Sequence, residues 1–161
     1  MPNWCFNHVT FSGDKENLNK LTVALNKAKE CEIKENKGQK IHSLDEVKDG
    51  YFFDIYFEIQ NDFLILQYET RWSPNIEDVS ELCREYKICA SHEYEERGMQ
   101  IYGTATYNEN GEYTDEQVEQ KFLDLIEYDS ENDMYVYNGE HWECEDDVIE
   151  SEYPKWKESN F

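Results

Sequence analysis

The stretch "YFFDIYFEIQNDFLILQYETRW" (51–72) constrains the fold more than any other part of the chain. Tyr51, Phe53, Ile55, Phe57 and Ile59 recur at every second position, with Asp54, Tyr56 and Glu58 between them. A period of two is the pleat of a half-buried strand; on a helix the same residues would be spread round the axis. Gln60-Asn61-Asp62 interrupts the alternation, and a second strand-like run begins at Phe63 and continues to Trp72. Two such runs across a short polar turn predict an antiparallel hairpin. A lone hairpin is marginal in water, so its apolar side must be covered by other elements.

Those elements are legible on either side. "CFNHVTFSG" (5–13) reads as a strand ending at Ser12-Gly13. It carries Trp4 and Phe6 toward one face and Cys5, Val9 and Phe11 toward the other, which predicts an interior strand covered on both sides. Asp14 is placed to cap a helix whose Leu18, Leu21, Leu25 and Ala28 fall at helical spacing. From Lys29 to Gly50 the pattern dissolves into mixed charge, read as a long loop with a short helical turn. After the hairpin, "SPNIEDVSELCREY" carries helix-start punctuation: Ser73 as N-cap, Pro74 at the first helical position, and a stripe of Ile76, Val79, Leu82 and Tyr86. "KICASHEYEERGMQIYGTATYNENGE" then predicts a second hairpin turning at Arg97-Gly98. Ile88, Ala90, His92 and Tyr94 share one face of its first strand, and Met99, Ile101, Gly103 and Ala105 one face of its second.

The order β-α-ββ-α-ββ fits a split βαβ core with one added strand: an α+β, ferredoxin-like antiparallel sheet with helices on one face. Beyond it, Thr114 and Gln117 read as a capping box before a helix bearing Val118, Phe122, Leu125 and Ile126. Asn138-Gly139 between alternating runs signals a hairpin. The final "EDDVIESEYPKWKESNF" reads as a short helix or an extended tail. The expected organisation is a ferredoxin-like domain over 1–112, with 29–50 as its long loop, and an acidic helix and hairpin appendage over 113–161.

Charge limits what the chain can engage. It holds 37 acids against 15 Lys and Arg, a formal charge of −22. Such a surface repels nucleic-acid backbones and anionic membranes and attracts basic surfaces. The first thirteen residues, "MPNWCFNHVTFSG", carry no acid and no Lys or Arg. They lack the basic start and the apolar core of about seven residues of a secretory signal, and no run reaches the roughly 18 apolar residues of a membrane span. The five cysteines are scattered with no CxxC pair, which suits free thiols in a reducing compartment. The reading is a soluble, cytoplasmic protein.

No catalytic motif, metal set or cofactor-binding signature is found. Cys5 and His8 point to opposite faces of a strand and cannot ligate one metal locally. In "HEYEERG", Glu96 stands where HExxH needs a second histidine, and on a strand His92 faces away from Glu93 and Glu95. "HWECEDD" gathers His141, Cys144, Asp146 and Asp147 at no recognised metal-ligand spacing. No GxGxxG, P-loop or GxSxG sequence occurs.

The opening "MPNWCFNHVTFSG" resembles the Met-(Ala/Pro)-Asn-Trp-Cys-x-Asn start of the Api-like (YubB-type) proteins of phages and plasmids. The later run "YETRWSPNIEDVSELCREYKICASHEYEERGMQIYGTATYNENGE" resembles their ferredoxin-like domain. A Trp-Ser-Pro turn there precedes a helix, and a Glu-Glu-x-Gly turn joins two strands. Here these are Trp72-Ser73-Pro74 and Glu95-Glu96-Arg97-Gly98, with Asn75 where the family often has a second proline. The resemblance covers about 1–13 and 51–112, and it implies the fold and a mobile-element setting but no catalytic residues.

The most informative remaining feature is the acidic end. From Glu112 to Phe161 there are 17 acids against 3 lysines, interleaved with tyrosine and tryptophan. Tyr135, Tyr137 and Trp142 have the chemistry of interface anchors, and Glu143, Glu145, Asp146, Asp147 and Glu150 that of steering charges. The reading is a non-enzymatic protein that binds and inhibits a basic, nucleic-acid-binding host or defence protein, in its sharpest form as a nucleic-acid mimic. Two alternatives stay open. One is an enzyme or ligand binder using a cleft near His92 or His141; the other is an oligomeric assembly protein. A solvated face whose aromatics merely pack a small subdomain is the bland counterpart to all three.

Overall fold

The computed structural model describes residues 3–30 and 52–161. Most of the loop expected over 29–50, and Tyr51, lie outside the described residues. The first element is β1 (Trp4–Ser12), followed by α1 (Lys15–Glu30), β2 (Phe53–Gln60), β3 (Phe63–Arg71), α2 (Ile76–Tyr86), β4 (Cys89–Glu96) and β5 (Ile101–Tyr107). Then come β6 (Tyr113–Gln117), α3 (Gln120–Leu123), β7 (Glu127–Asp129), β8 (Met134–Tyr137), β9 (Glu140–Trp142) and α4 (Glu145–Asn160). Strands β1 to β6 form one sheet in the order β2-β3-β1-β4-β5-β6, and β7-β8-β9 form another. The first four strands have the order of the ferredoxin-like split βαβ, and two strands, not one, are added beyond β4. The chain divides into two compact units, Met1–Glu116 and Gln117–Phe161.

In the first unit β1 is central. It pairs antiparallel with β3 from Trp4↔Arg71 to Ser12↔Phe63, and with β4 from Phe6↔Glu95 to Ser12↔Cys89. Cys5, Val9 and Phe11 point to the helix side and are fully buried. Val9 and Phe11 join Leu21 and Leu25 of α1, Val79 and Leu82 of α2, and Leu64 and Leu66 of β3 in one core. The expectation of cover on both sides fails: Trp4 and Phe6 are 42% and 40% exposed. Both helices lie on one face, and an antiparallel sheet can leave the other face in water because its backbone groups are satisfied within the plane.

Three local departures have physical causes. The alternation in β2 breaks at a register shift between Phe53 and Tyr56, with Asp54 taking up the extra residue at φ 49°. Phe52 and Ile55 are therefore both in the core, and Ile59 at the hairpin tip is exposed. Helix α2 starts at Ile76, not at Pro74: Asn75 supplies the first carbonyl, to the Asp78 and Val79 amides, at 3.1 and 3.3 Å. Asn75, not Ser73, is the N-cap residue, and the Ser73 carbonyl instead accepts the Thr70 hydroxyl at 2.7 Å.

The third concerns Tyr113–Gln117, where the capping-box pattern predicts a helix and the chain forms edge strand β6. The Asn108 side chain accepts from the Asn110 and Glu112 amides, each at 3.0 Å, and folds the chain back on β5. Thr106 and Thr114 then bond through their hydroxyls at 2.8 Å, and the Tyr94 phenol donates to Asp115 at 2.6 Å. Helix survives only as the four residues of α3. Tyr94 reaches Asp115 by crossing β5 at Gly103: a Cβ there would strike the phenol and stand 2.9 Å from the Glu116 carbonyl oxygen.

In the second unit, Phe122 is the hub. Its ring lies 5.3 Å from Tyr137, 5.2 Å from Tyr153 and 5.7 Å from Trp156. The Asn138-Gly139 turn joins β8 to β9 as its sequence predicts, and the last stretch is a full helix, α4, with Val148 buried. Gly103→Ala is expected to lower stability by about 1–3 kcal/mol through overpacking, measured by urea unfolding. Tyr94→Ala in the same chain should recover part of that loss.

Candidate functional site

The motif residues singled out by sequence, far apart along the chain, meet at one end of the six-stranded sheet. The Asn3 carbonyl accepts the Trp72 amide at 2.9 Å. The Asn3 side chain packs where a Cβ on Gly98 would stand. Glu96, 2% exposed, turns its carboxylate onto the Gly98 and Met99 amides at 2.9 and 2.7 Å, which explains both the second acid and the glycine of the Glu-Glu-x-Gly turn. Trp72 is held at φ 71°, a conformation rare for a bulky residue, and its ring is half exposed.

Behind this end lies a closed polar network. Asn7 donates from its amide nitrogen to the Cys5 carbonyl at 3.0 Å and to the Thr70 hydroxyl at 2.9 Å. With both amide protons so placed, its oxygen faces His92 Nε2 at 2.9 Å, and that nitrogen carries the proton. Nδ1 then accepts from the Tyr107 hydroxyl at 3.0 Å. Next to it, the Tyr68 phenol donates to Asn75 at 2.5 Å, and the Asn75 amide donates to Asp78 at 3.1 Å. Burial, with a smaller contribution from His8, pulls His92 down to about 4, and burial pushes the Cys5 thiol up to about 12. His92 is a neutral, fully enclosed imidazole with both nitrogens engaged. Its two hydrogen bonds tie β4 to β1 and to β5.

The acidic candidates sit in the second unit. Glu143, Asp147 and Glu150 are exposed, and Tyr135, Trp142, Glu145 and Asp146 are half-buried. Tyr137 is 6% exposed and belongs to the interior, its ring tilted against Phe122. Glu145, Asp146 and Asp147 occupy the first turn of α4, where negative charge also steadies the helix. His141 is exposed, with Nε2 3.9 Å from an Asp129 carboxylate oxygen. Hydrogen bonds from the Asn132 side chain and the Glu131 amide hold Asp129 below the usual carboxylate range. Among the described residues, no group of three or more His, Cys, Asp or Glu is arranged to hold a metal ion, and no helix is long and apolar enough to cross a membrane. Cys5, Cys83, Cys89 and Cys144 are free thiols.

The family described as the ferredoxin-like domain in Api92-like protein matches residues 52–138, more than half of the chain. The chain belongs to this family. No curated protein and no solved structure matches it. The Api92-like match includes Trp72-Ser73-Pro74 and Glu95-Glu96-Arg97-Gly98 but stops short of β1, the strand that lies between β3 and β4 of the matched region. The sheet of this Api92-like domain is therefore completed by a strand from outside the match.

Sequence reasoning missed Asn3, Asn7, Thr70 and Asp115 as members of these networks. Only the glycine after two acids and the Trp before Ser-Pro hinted at the convergence, because contacts between strands do not show in local pattern. Removing residues 1–13 is expected to abolish cooperative unfolding, checked by urea titration with circular dichroism. A second expectation concerns pH. The fold keeps His92 neutral to about 4 while the unfolded chain protonates it near 6.5. Stability carried by the neutral form should therefore fall as pH drops through that window, by on the order of 3 kcal/mol, and level off below it. Unfolding free energies of the parent and His92→Gln at about pH 7 and about pH 4.5 isolate this part from the carboxylates.

Proposed function

We propose that this Api92-like protein is a non-enzymatic binding protein that sets its acidic surface against a basic surface of another protein in the cytoplasm of its host cell. The observation that carries the reading is the segregation of charge: 17 acids against 3 lysines from Glu112 onward, with Glu143, Asp147 and Glu150 in solvent. Charge so one-sided raises encounter rates with a cationic partner and rejects anionic ones. Surfaces basic enough to match are typical of nucleic-acid-binding proteins. In its narrow form the reading is inhibition: carboxylates occupy the groove that takes phosphates, and nucleic acid is excluded from it. The exposed acids supply the contact. The half-buried Tyr135 and Trp142 serve as its aromatic anchors, while Tyr137 lies in the interior.

The test is capture from host lysate by the tagged chain at about 50 mM and about 500 mM salt, beside Glu143→Lys/Asp147→Lys/Glu150→Lys. A basic nucleic-acid-binding protein is expected at low salt only, with recovery by the variant reduced roughly tenfold or more. Addition of the chain should release labelled duplex from that captured protein. Equal capture by the variant, or no capture at low salt, overturns the reading.

A further inference from the structure

Four solvent-facing aromatic residues lie in the first unit, on the sheet face turned away from α1 and α2. Trp4, Phe6, Tyr56 and Phe63 are 42%, 40%, 52% and 48% exposed there. Ordinary surfaces scatter such residues singly; gathered on one face they mark an interaction site. Trp4, Phe6 and Phe63 follow the paired strands β1 and β3, whose nine-residue ladder runs roughly 30 Å at about 3.3 Å per residue, and Tyr56 stands beside them on β2. Acids line both margins: Glu58 on β2, and Glu93 with Glu95 on β4.

Charge decides what can lie on this track. A second copy brings another net −22 and the same acidic margins. Nucleic acid brings phosphates toward Glu58 and Glu93. A cationic apolar segment satisfies both chemistries. The face already shows how its rings take such a group: the Arg71 guanidinium lies 4.9 Å over Phe53 and 6.0 Å over Trp4. Glu69, between Phe53 and Phe6 in the register, is held above the usual carboxylate range by burial and by Asp54, so an added cation beside it would be favourable. Dimensions fit as well. The margins are three strand spacings apart, about 14 Å, and an α-helix with side chains is about 10–12 Å across. Lysines at its flanks can reach outward while their stems cover the rings.

We propose that this sheet face is a docking surface for a basic amphipathic helix of a partner protein, its apolar stripe on Trp4, Phe6 and Phe63 and its cations on Glu58 and Glu93. The proposal concerns the first unit and stands apart from the reading of the acidic second unit. The probe is a synthetic Leu/Lys peptide of about 20 residues, roughly 30 Å as a helix, with leucines on one stripe, titrated into the full chain by calorimetry. Controls are a peptide of the same composition with the stripe scrambled, and a single-stranded DNA oligonucleotide. Phe6→Ser/Phe63→Ser and Glu58→Gln/Glu93→Gln, each shown by circular dichroism to fold, should weaken peptide binding by roughly tenfold or more. Glu143→Lys/Asp147→Lys/Glu150→Lys should leave it within about twofold, because the proposal gives those residues no contact with the peptide. Binding unchanged in both face variants, equal binding of the scrambled peptide, or preferential binding of the DNA overturns the proposal. So does a concentration-dependent dimer abolished by Phe6→Ser/Phe63→Ser, which would make a second copy the occupant. Loss of peptide binding only in the variant of the acidic unit would refute this surface while sustaining the other.

Discussion

Every long-range feature of the first unit depends on β1 being paired along both edges. Its two ladders join β3 and β4, which would otherwise present bare edges to each other across an empty strand position. Its helix-facing residues close the core, and Asn3, just before it, ties down the turn after β3 and the turn after β4. The absence of charged groups along β1 follows from this position. On the core side a charge would be buried without a partner. On the open side Phe6 stands between Glu69 and Glu95, and His8 next to Glu93, so an acid at either place would face like charges directly across the ladder.

The polar network around Asn7 gives that pairing its register. Asn7, Thr70 and His92 come from three different strands, and each hydrogen bond is met in one alignment only. A one-residue slip of β1 would turn Asn7 into solvent and bring a partnerless group into the core. Full satisfaction is what makes such a buried cluster tolerable. His92, read from sequence as a possible centre of chemistry, has both ring nitrogens engaged in this network.

Periodicity made the sheet, its two covering helices and the Asn-Gly hairpin legible, because those elements are written in local spacing. What stayed hidden was set by partners distant in sequence. Thr114 and Gln117 spell a helix start, yet Thr106 and Tyr94 claim that segment for an edge strand. Alternation in β2 was right in kind but lost its register at Asp54. Trp4 and Phe6 look like core residues, and nothing in β1 alone says that both helices choose the other face. The acidity of the second unit was legible as charge, whereas the places of its aromatics were less so: Tyr137 and Trp156 pack around Phe122, while Trp4 and Phe6, on a strand that reads as interior, are open to water.

The central place of β1 also has a consequence in time. Asn7 meets Thr70 across 63 positions and His92 across 85. During synthesis at about 5–20 residues per second, β1 therefore waits several seconds for its neighbours, holding an uncharged row of Trp, Phe and Val. Contacts of such separation also slow folding through the cost of closing long loops. The interval is one in which a sticky strand can find the wrong partner. The chain made during that wait offers hydration rather than strong mutual repulsion: residues 14–50 carry eight acids and eight lysines, and the acidic end is synthesised only after β3 and β4 are in place to cover β1.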